Sequence, residues 1–147
     1  MGEGWNDDQP SKDEQPVLAL ALRTATVDDM AVMRDVMAPF RNRHFPPNFQ
    51  TDQVRIAQLG DDVVGFVGWK GDEVLALYVA DAWRGQRIVG SGLLAAAEAA
   101  IRERGHARIR IMIDADEDRA RRFYVEHGYE SRWQHSEDDI IWMYKAT

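Results

Sequence analysis

A run of twelve residues, Trp83-Arg84-Gly85-Gln86-Arg87-Ile88-Val89-Gly90-Ser91-Gly92-Leu93-Leu94, links the strand-like stretch Glu73–Val79 to an alanine-rich helix. A chain that leaves a strand, turns through glycines and enters a helix exposes unpaired backbone N–H groups at the helix start, where the macrodipole adds positive potential. Such a junction is an anion cradle. Arg84 and Arg87 add two cations, and Gly85, Gly90 and Gly92 remove the Cβ atoms that would hold a pyrophosphate away from the backbone. An ordinary glycine-containing connection has the same look in isolation, so the rest of the chain decides.

At 147 residues and 45% hydrophobic, the chain is large enough for one domain with a core and too short for two ordinary ones. A net charge of −7 argues against a nucleic-acid binder, whose affinity comes from a basic surface. No apolar run approaches the roughly 20 residues that span a bilayer, and Met1-Gly2-Glu3-Gly4-Trp5-Asn6-Asp7-Asp8 lacks the parts of a signal peptide. No membrane association and a cytoplasmic location are therefore expected. The absence of cysteine excludes disulfides, thiolate metal sites and a covalent cysteine intermediate, so any acyl transfer is direct or uses another nucleophile.

Residues 1–16 are polar and acidic with two prolines and read as a flexible tail, leaving 17–147 as the domain. Val17–Arg23 suits a strand, and Thr26 with Asp29 forms a capping-box pattern ahead of a helix over Val27–Met37. Ala38–Gln50, with Arg41, Arg43 and His44, reads as a lid-like loop. Gly60-Asp61-Asp62 and Gly71-Asp72 then divide three strands, Asp52–Leu59, Val63–Trp69 and Glu73–Val79. After the alanine-rich helix, ended by Arg104-Gly105, come a strand over Ala107–Ile113, a helix over Glu117–His127 and a hairpin from Tyr129–His135 and Asp139–Tyr144. The predicted fold is α/β, in the order βα-βββ-αβ-α-ββ. Because Glu73 through Ile113 is a parallel crossover, the twisted sheet is mixed, with helices flanking it.

Three stretches in this order resemble the GNAT superfamily of N-acetyltransferases, which use acetyl-coenzyme A, and the likeness runs from Val17 to Tyr144. Leu77-Tyr78-Val79 is similar to the strand lining the acyl-pantetheine slot. Trp83 through Leu94 is similar to the pyrophosphate loop. Ala120-Arg121-Arg122-Phe123-Tyr124-Val125-Glu126-His127-Gly128-Tyr129 is similar to the signature Ala-x-x-Phe-Tyr-x-x-x-Gly-Phe/Tyr. The loop can be aligned on Arg84-Gly85, on Gly90-Ser91-Gly92-Leu93-Leu94, or on Arg87-Ile88-Val89-Gly90-Ser91-Gly92. Glu117, three before Ala120, stands where relatives often carry an Asn that helps hold the cofactor.

The resemblance implies that coenzyme A contacts Tyr78, Val79, the loop residues Arg84, Gly85, Gln86, Arg87, Ile88, Val89, Gly90, Ser91 and Gly92, and Glu117, Ala120, Phe123 and Tyr124. It further implies that Tyr124 protonates or hydrogen-bonds the departing sulfur, that a backbone N–H near Tyr78 or Val79 polarises the carbonyl, and that Glu73 acts as base through water, with Asp72 and Asp81 in reserve. Trp69, Trp83, Phe45 and Phe49 are candidates for an acceptor pocket. The expected partners are acetyl-CoA and a small-molecule or peptide amine, with homodimerisation open. Asp72, Glu73 and Asp81 suggest a negative acceptor site that favours a cationic amine. The alternative is a non-catalytic acyl-CoA-binding or regulatory domain.

Other motifs fail on their own terms. Gly90-Ser91-Gly92-Leu93-Leu94-Ala95 with Asp114 imitates a dinucleotide fingerprint, but such a loop turns tightly off its strand and about ten residues separate Val79 from Gly90. Gly85–Gly90 has P-loop spacing without the Lys-Ser/Thr pair. Asp114, Asp116 and Asp118 mimic a calcium loop, but Arg119 and Val125 stand where Gly and Glu are needed. His44, His106, His127 and His135 show no close ligand spacing, so no metal is expected.

Overall fold

Alternating apolar residues and well-placed turns lay out the chain. The computed structural model describes residues 19–40, 50–135 (backbone alone for 132–135) and 139–147. In chain order the elements are β1 (Leu20–Thr24), α1 (Met30–Met37), β2 (Val54–Leu59), β3 (Asp62–Lys70), β4 (Glu73–Val79), α2 (Arg87–Glu103), β5 (Arg108–Asp114), α3 (Asp118–Glu126), β6 (Glu130–His135) and β7 (Ile140–Ala146). The strands form one mixed sheet, β1-β2-β3-β4-β5-β7-β6, antiparallel throughout except between β4 and β5. Element order and mixed character match the sequence expectation. Several boundaries shift by a residue or two, and short 3-10 turns at Val27–Asp29 and Thr51–Gln53 replace the first residues of the expected helix and strand. The 1–16 tail and Arg41, Arg43, His44, Phe45 and Phe49 lie outside the described residues.

Each sheet face acquires its own cover. Ile109, Ile111 and Ile113 point to one side of β5, where Leu93, Leu94, Ala97 and Ile101 of α2 bury against them. The opposite face over β2 to β4 is covered by Met33, Val36 and Met37 of α1, packed on Ile56, Phe66 and Ala76. The turn into α1 is fixed by its cap: the Asp29 carboxylate accepts from the Thr26 N–H (2.7 Å) and from both terminal nitrogens of Arg23 (2.8 and 2.9 Å).

The feature that shapes the site lies in β4. Opposite β3, the register jumps from Gly68↔Ala76 to Trp69↔Val74, so Leu75 is an extra residue. The packing shows the same break. Val74 enters the core beneath α2 and α3, whereas Ala76 enters the core beneath α1, although residues two apart in an unbroken strand share a face. On its other side β4 pairs with β5 only at Glu73↔Arg110 and Val74↔Ile111, and beyond that the two strands part. The Ala80 N–H bonds the Val64 carbonyl on the β3 side (2.8 Å), so strand alternation turns the N–H and C=O groups of Leu77 and Val79 into the gap.

Two stability predictions follow from this architecture. A Cβ at Gly65, opposite Val79, would stand 2.7 Å from the Tyr78 carbonyl oxygen and 3.0 Å from Leu93 Cδ1. Gly65→Ala should therefore cost about 1–3 kcal/mol, read as a lower urea midpoint; an unchanged midpoint would mean the strands have slack there. The hydrogen bonds from Arg23, above all, hold the Asp29 carboxyl down to about 2, with burial opposing. An acid depressed in the folded state stabilises the fold above its unfolded pKa of about 4, and that contribution is lost as pH falls through the folded value. Stability should decline from pH about 4 to about 2, and Asp29→Asn should flatten that limb of the denaturation profile.

Candidate active site

The parting of β4 from β5 opens a cleft of about 570 Å³ beside the starts of α2 and α3. Leu77 and Val79 form its strand wall, Arg84, Gly85, Gln86, Arg87 and Gly90 one end, and Glu117, Ala120, Phe123 and Tyr124 the α3 side. A smaller cavity of about 240 Å³ continues between the strands toward Ala76, Tyr78 and Met112. Phe40, Leu77, Glu117, Ala120 and Tyr124 line both spaces, so this is where they meet.

The end of the cleft at the start of α2 is built from backbone. Gly85 takes φ +94°, a left-handed conformation that L side chains rarely adopt, and turns the chain into α2. α2 begins at Arg87 with Gln86 as N-cap, no side-chain cap hydrogen bond and no acidic residue in its first turn. The first N–H groups of a helix lack intrahelical partners; here the Gln86 N–H already donates to the Trp83 carbonyl (3.2 Å), which leaves those of Arg87, Ile88 and Val89. Without a side-chain cap, they carry the positive end of the helix dipole. Arg84 pairs with Asp81 (3.1 Å) and lies over the Phe40 ring at 4.8 Å, while Arg87 pairs with Glu126. Arg119 and Arg122, three apart on α3, also line the cleft and have no ion-pair partner among the described residues. They were not expected from the sequence; their spacing on one helix face beside Ala120 and Phe123 was the available signal.

The loop residues do not act as one block. Ile88 projects outward, 64% exposed, and the Val89 side chain is core. The Ser91 hydroxyl donates to Nε2 of His127 (2.9 Å), whose Nδ1–H donates to the Phe123 carbonyl (2.7 Å), tying α2 to α3. A Cβ on Gly92 would meet Leu20, so that glycine permits packing on β1. Gly90 does face the cleft, where a Cβ would come 3.2 Å from the Phe123 ring. Arg84, Gly85, Gln86, Arg87 and Gly90 line the cleft, so residues from each of the three alignments take part in its wall.

Tyr124 is buried at the meeting point. Its ring stands edge-on to Phe123 (5.1 Å) and Tyr129 (5.6 Å), and the Tyr129 hydroxyl donates to the buried carboxylate of Glu98 (2.8 Å), which also accepts from Lys145. Gly128, at φ +93°, closes α3 and lets the Tyr129 N–H return to the Tyr124 carbonyl (2.9 Å). Burial first, and Tyr78 second, push the Tyr124 phenol well above its ordinary range, so it remains a donor at neutral pH. Tyr78 lies on the other face of β4, in contact with Phe40 and Phe66, and lines only the smaller cavity.

The expected base and acceptor field are arranged differently from the sequence reading. Glu73 lines neither space. Its carboxylate lies 3.6 Å from Arg110, which also donates to Asp72 (2.8 Å). Burial pushes the Glu73 carboxyl up, Arg110 opposes this and Asp72 reinforces it. With Asp81 paired to Arg84, the three acids expected to make a negative acceptor site each have a cation beside them. A different acidic grouping, Asp114, Asp116 and Glu117, has carboxylate oxygens within 4.8 Å of one another; of these Glu117 lines both spaces and Asp114 the smaller one. Trp69 is core and Trp83 belongs to the cleft.

The candidate site is thus a parallel strand pair prised open beside an uncapped helix start, with a buried phenol where its two spaces meet. Residues 50–131, more than half of the chain, match the family model described as acetyltransferase (GNAT) domain. The chain belongs to that family and is an acyl-CoA-dependent N-acetyltransferase. No curated protein matches it significantly in sequence. Among solved structures it is similar to Ard1 from Thermoplasma volcanium (17% identity, TM-score 0.76, 88% of this chain and 98% of that one). It is also similar to the PaiA N-acetyltransferase from Thermoplasma acidophilum in complex with coenzyme A (15%, 0.69, 88% and 99%). A third is Arabidopsis thaliana Naa50 in complex with the bisubstrate analogue CoA-Ac-MVNAL (16%, 0.70, 87% and 99%). At such identities the likeness is one of fold. No helix among the described residues is long and apolar enough to cross a membrane.

Gly90→Asp tests the cradle, because it sets bulk and negative charge against Phe123 and the cleft. Coenzyme A affinity measured by calorimetry should fall more than about tenfold, and wild-type affinity should weaken as salt rises. Undiminished binding by the variant would place the pyrophosphate elsewhere.

Proposed function

We propose that acetyl-CoA lies with its pyrophosphate on the uncapped start of α2 and its pantetheine along the open edge of β4, and that an amine meets the acetyl group from the smaller cavity. The observation that carries this reading is the junction of the two spaces at Leu77, Glu117 and Tyr124. It supplies one reacting position reached from two directions. Two proteins with this fold, one in complex with coenzyme A and one with the bisubstrate analogue CoA-Ac-MVNAL, support a carrier and an acceptor bound to one domain.

The chemistry assigned to the residues is as follows. The neutral amine attacks the thioester carbonyl, and the Val79 N–H, turned into the gap, stabilises the developing oxyanion. As the C–S bond breaks, Tyr124 donates a hydrogen bond to the sulfur; a proton from the acylated nitrogen passes to the thiolate along the same contact. Because burial holds the phenol protonated, Tyr124 serves as donor and not as base. A chain without cysteine has no thiol to carry the acetyl group, which supports direct transfer within a ternary complex. The acceptor is read as a small-molecule or peptide amine. The reaction so written uses no metal.

Free-thiol release from acetyl-CoA with a panel of primary amines and peptides tests the whole reading. Double-reciprocal plots should intersect, whereas parallel lines or an isolable acetyl-enzyme would refute direct transfer. Tyr124→Phe should keep coenzyme A affinity while lowering kcat by something on the order of 10 to 1,000-fold. Unchanged kcat with chemistry rate-limiting would reduce Tyr124 to packing. Coenzyme A binding without thiol release from any amine would favour the non-catalytic alternative.

A further inference from the structure

We infer that Glu117 is the residue that takes the proton from the acceptor's ammonium group, an inference that rests on the acetyl-transfer reading above. An amine of pKa near 10.4 is almost wholly protonated at pH 7, so attack requires a proton acceptor within reach of the amine in the site. Geometry selects among the carboxylates. Glu126 lines the cleft but is bound to Arg87, Asp114 lines only the smaller cavity, and Glu73 lines neither and faces Arg110. Among the described residues, Glu117 is the one carboxylate that lines both spaces, and it has no ion-pair partner there.

Its position is fixed by backbone. Glu117 is the N-cap of α3; its N–H donates to the Asp114 carbonyl (3.1 Å) and its own carbonyl accepts from the Arg121 N–H (3.0 Å). The side chain makes no cap hydrogen bond and stays available to a ligand. Tyr124 follows seven residues later in α3, and both residues line the two spaces. The groups around Glu117 are Asp114 and Asp116 at the end of β5, Tyr78 and Leu77 of β4, and Arg119, Arg121 and Tyr124 of α3.

The protons balance. Glu117 removes the first proton from R–NH3⁺ and later returns it to solvent. The amine lone pair forms the C–N bond, the C–S bond breaks, and the second nitrogen proton reaches the thiolate by way of Tyr124. The products are the amide, the free thiol of coenzyme A and one proton released to water.

The test compares wild type, Glu117→Gln, Glu117→Asp and Glu73→Gln by thiol release, using the best amine from the panel, with coenzyme A affinity and thermal unfolding as controls. Glu117→Gln should stay folded, bind coenzyme A as wild type does, and lose on the order of 100-fold in kcat at pH 7. Its rate should then climb about tenfold per pH unit toward the amine's own pKa, because solvent must now supply the neutral amine. Glu117→Asp should recover part of the loss, and Glu73→Gln should show no such alkaline rescue. A Glu117→Gln enzyme with unchanged kcat and a raised KM for acetyl-CoA would make Glu117 a cofactor contact and overturn the inference. Alkaline rescue confined to Glu73→Gln would also overturn it. No thiol release from wild type with any amine would fail the underlying reading itself, and the inference with it.

Discussion

One additional residue in one strand organises this molecule. Leu75 interrupts the pairing of β4 with β3, reverses the faces presented by the residues after it, and ends the run of β4 alongside β5 after two residue pairs. A parallel pair that separates leaves main-chain donors and acceptors without partners, which in a sheet interior is costly unless a ligand or water meets them. The gap thus pre-forms a polar seam in an otherwise apolar wall. Its two sides are held independently, β4 by its antiparallel partner β3 and β5 by seven residue pairs with β7. The opening is a product of the architecture and does not wait for a ligand.

The same logic governs the helix starts. Thr26, Asp29 and Arg23 complete the turn into α1, an element that only covers core. α2 has no such completion, although it is the longest described helix and its apolar stripe anchors the centre of the sheet. A cap lost at α2 is tolerable because burial of Leu93, Leu94, Ala97 and Ile101 stabilises the helix by several kcal/mol, of order 1.5–3 for each large side chain, against about 1 for a cap. The chain spends stability where the ligand will replace it.

Much of this was legible in the residues. Period-two runs in β2 to β5, Gly60 and Gly71 at positive φ, and the Thr26–Asp29 pattern are local signals, and local geometry answered them. The motif around Ala120, Phe123 and Tyr124 placed the phenol because two successive helical turns carry it to one wall. Non-local facts were harder. The sequence around Leu75 alternates well enough to pass for an unbroken strand, because a bulge is defined by its partner's register. Glycines at 85, 90 and 92 look equivalent in a string, yet one turns a loop, one faces the cleft and one packs on β1. The arginines that neutralise Asp72 and Glu73 come from β5, nearly forty residues later, and only the parallel crossover brings them near.

The two spaces that share Tyr124 open in different directions, one past the starts of α2 and α3, the other between the strands toward Ala76, Tyr78 and Met112. Among the described residues the sheet is parted between β4 and β5, and under the proposed reading carrier and acceptor reach that opening by separate entrances. Neither product needs to wait behind the other, so the order of departure is a contest of dissociation rates that sequence changes on one side can alter without touching the other. Separate entrances let the acceptor side diverge freely over evolutionary time while the carrier side stays as it is.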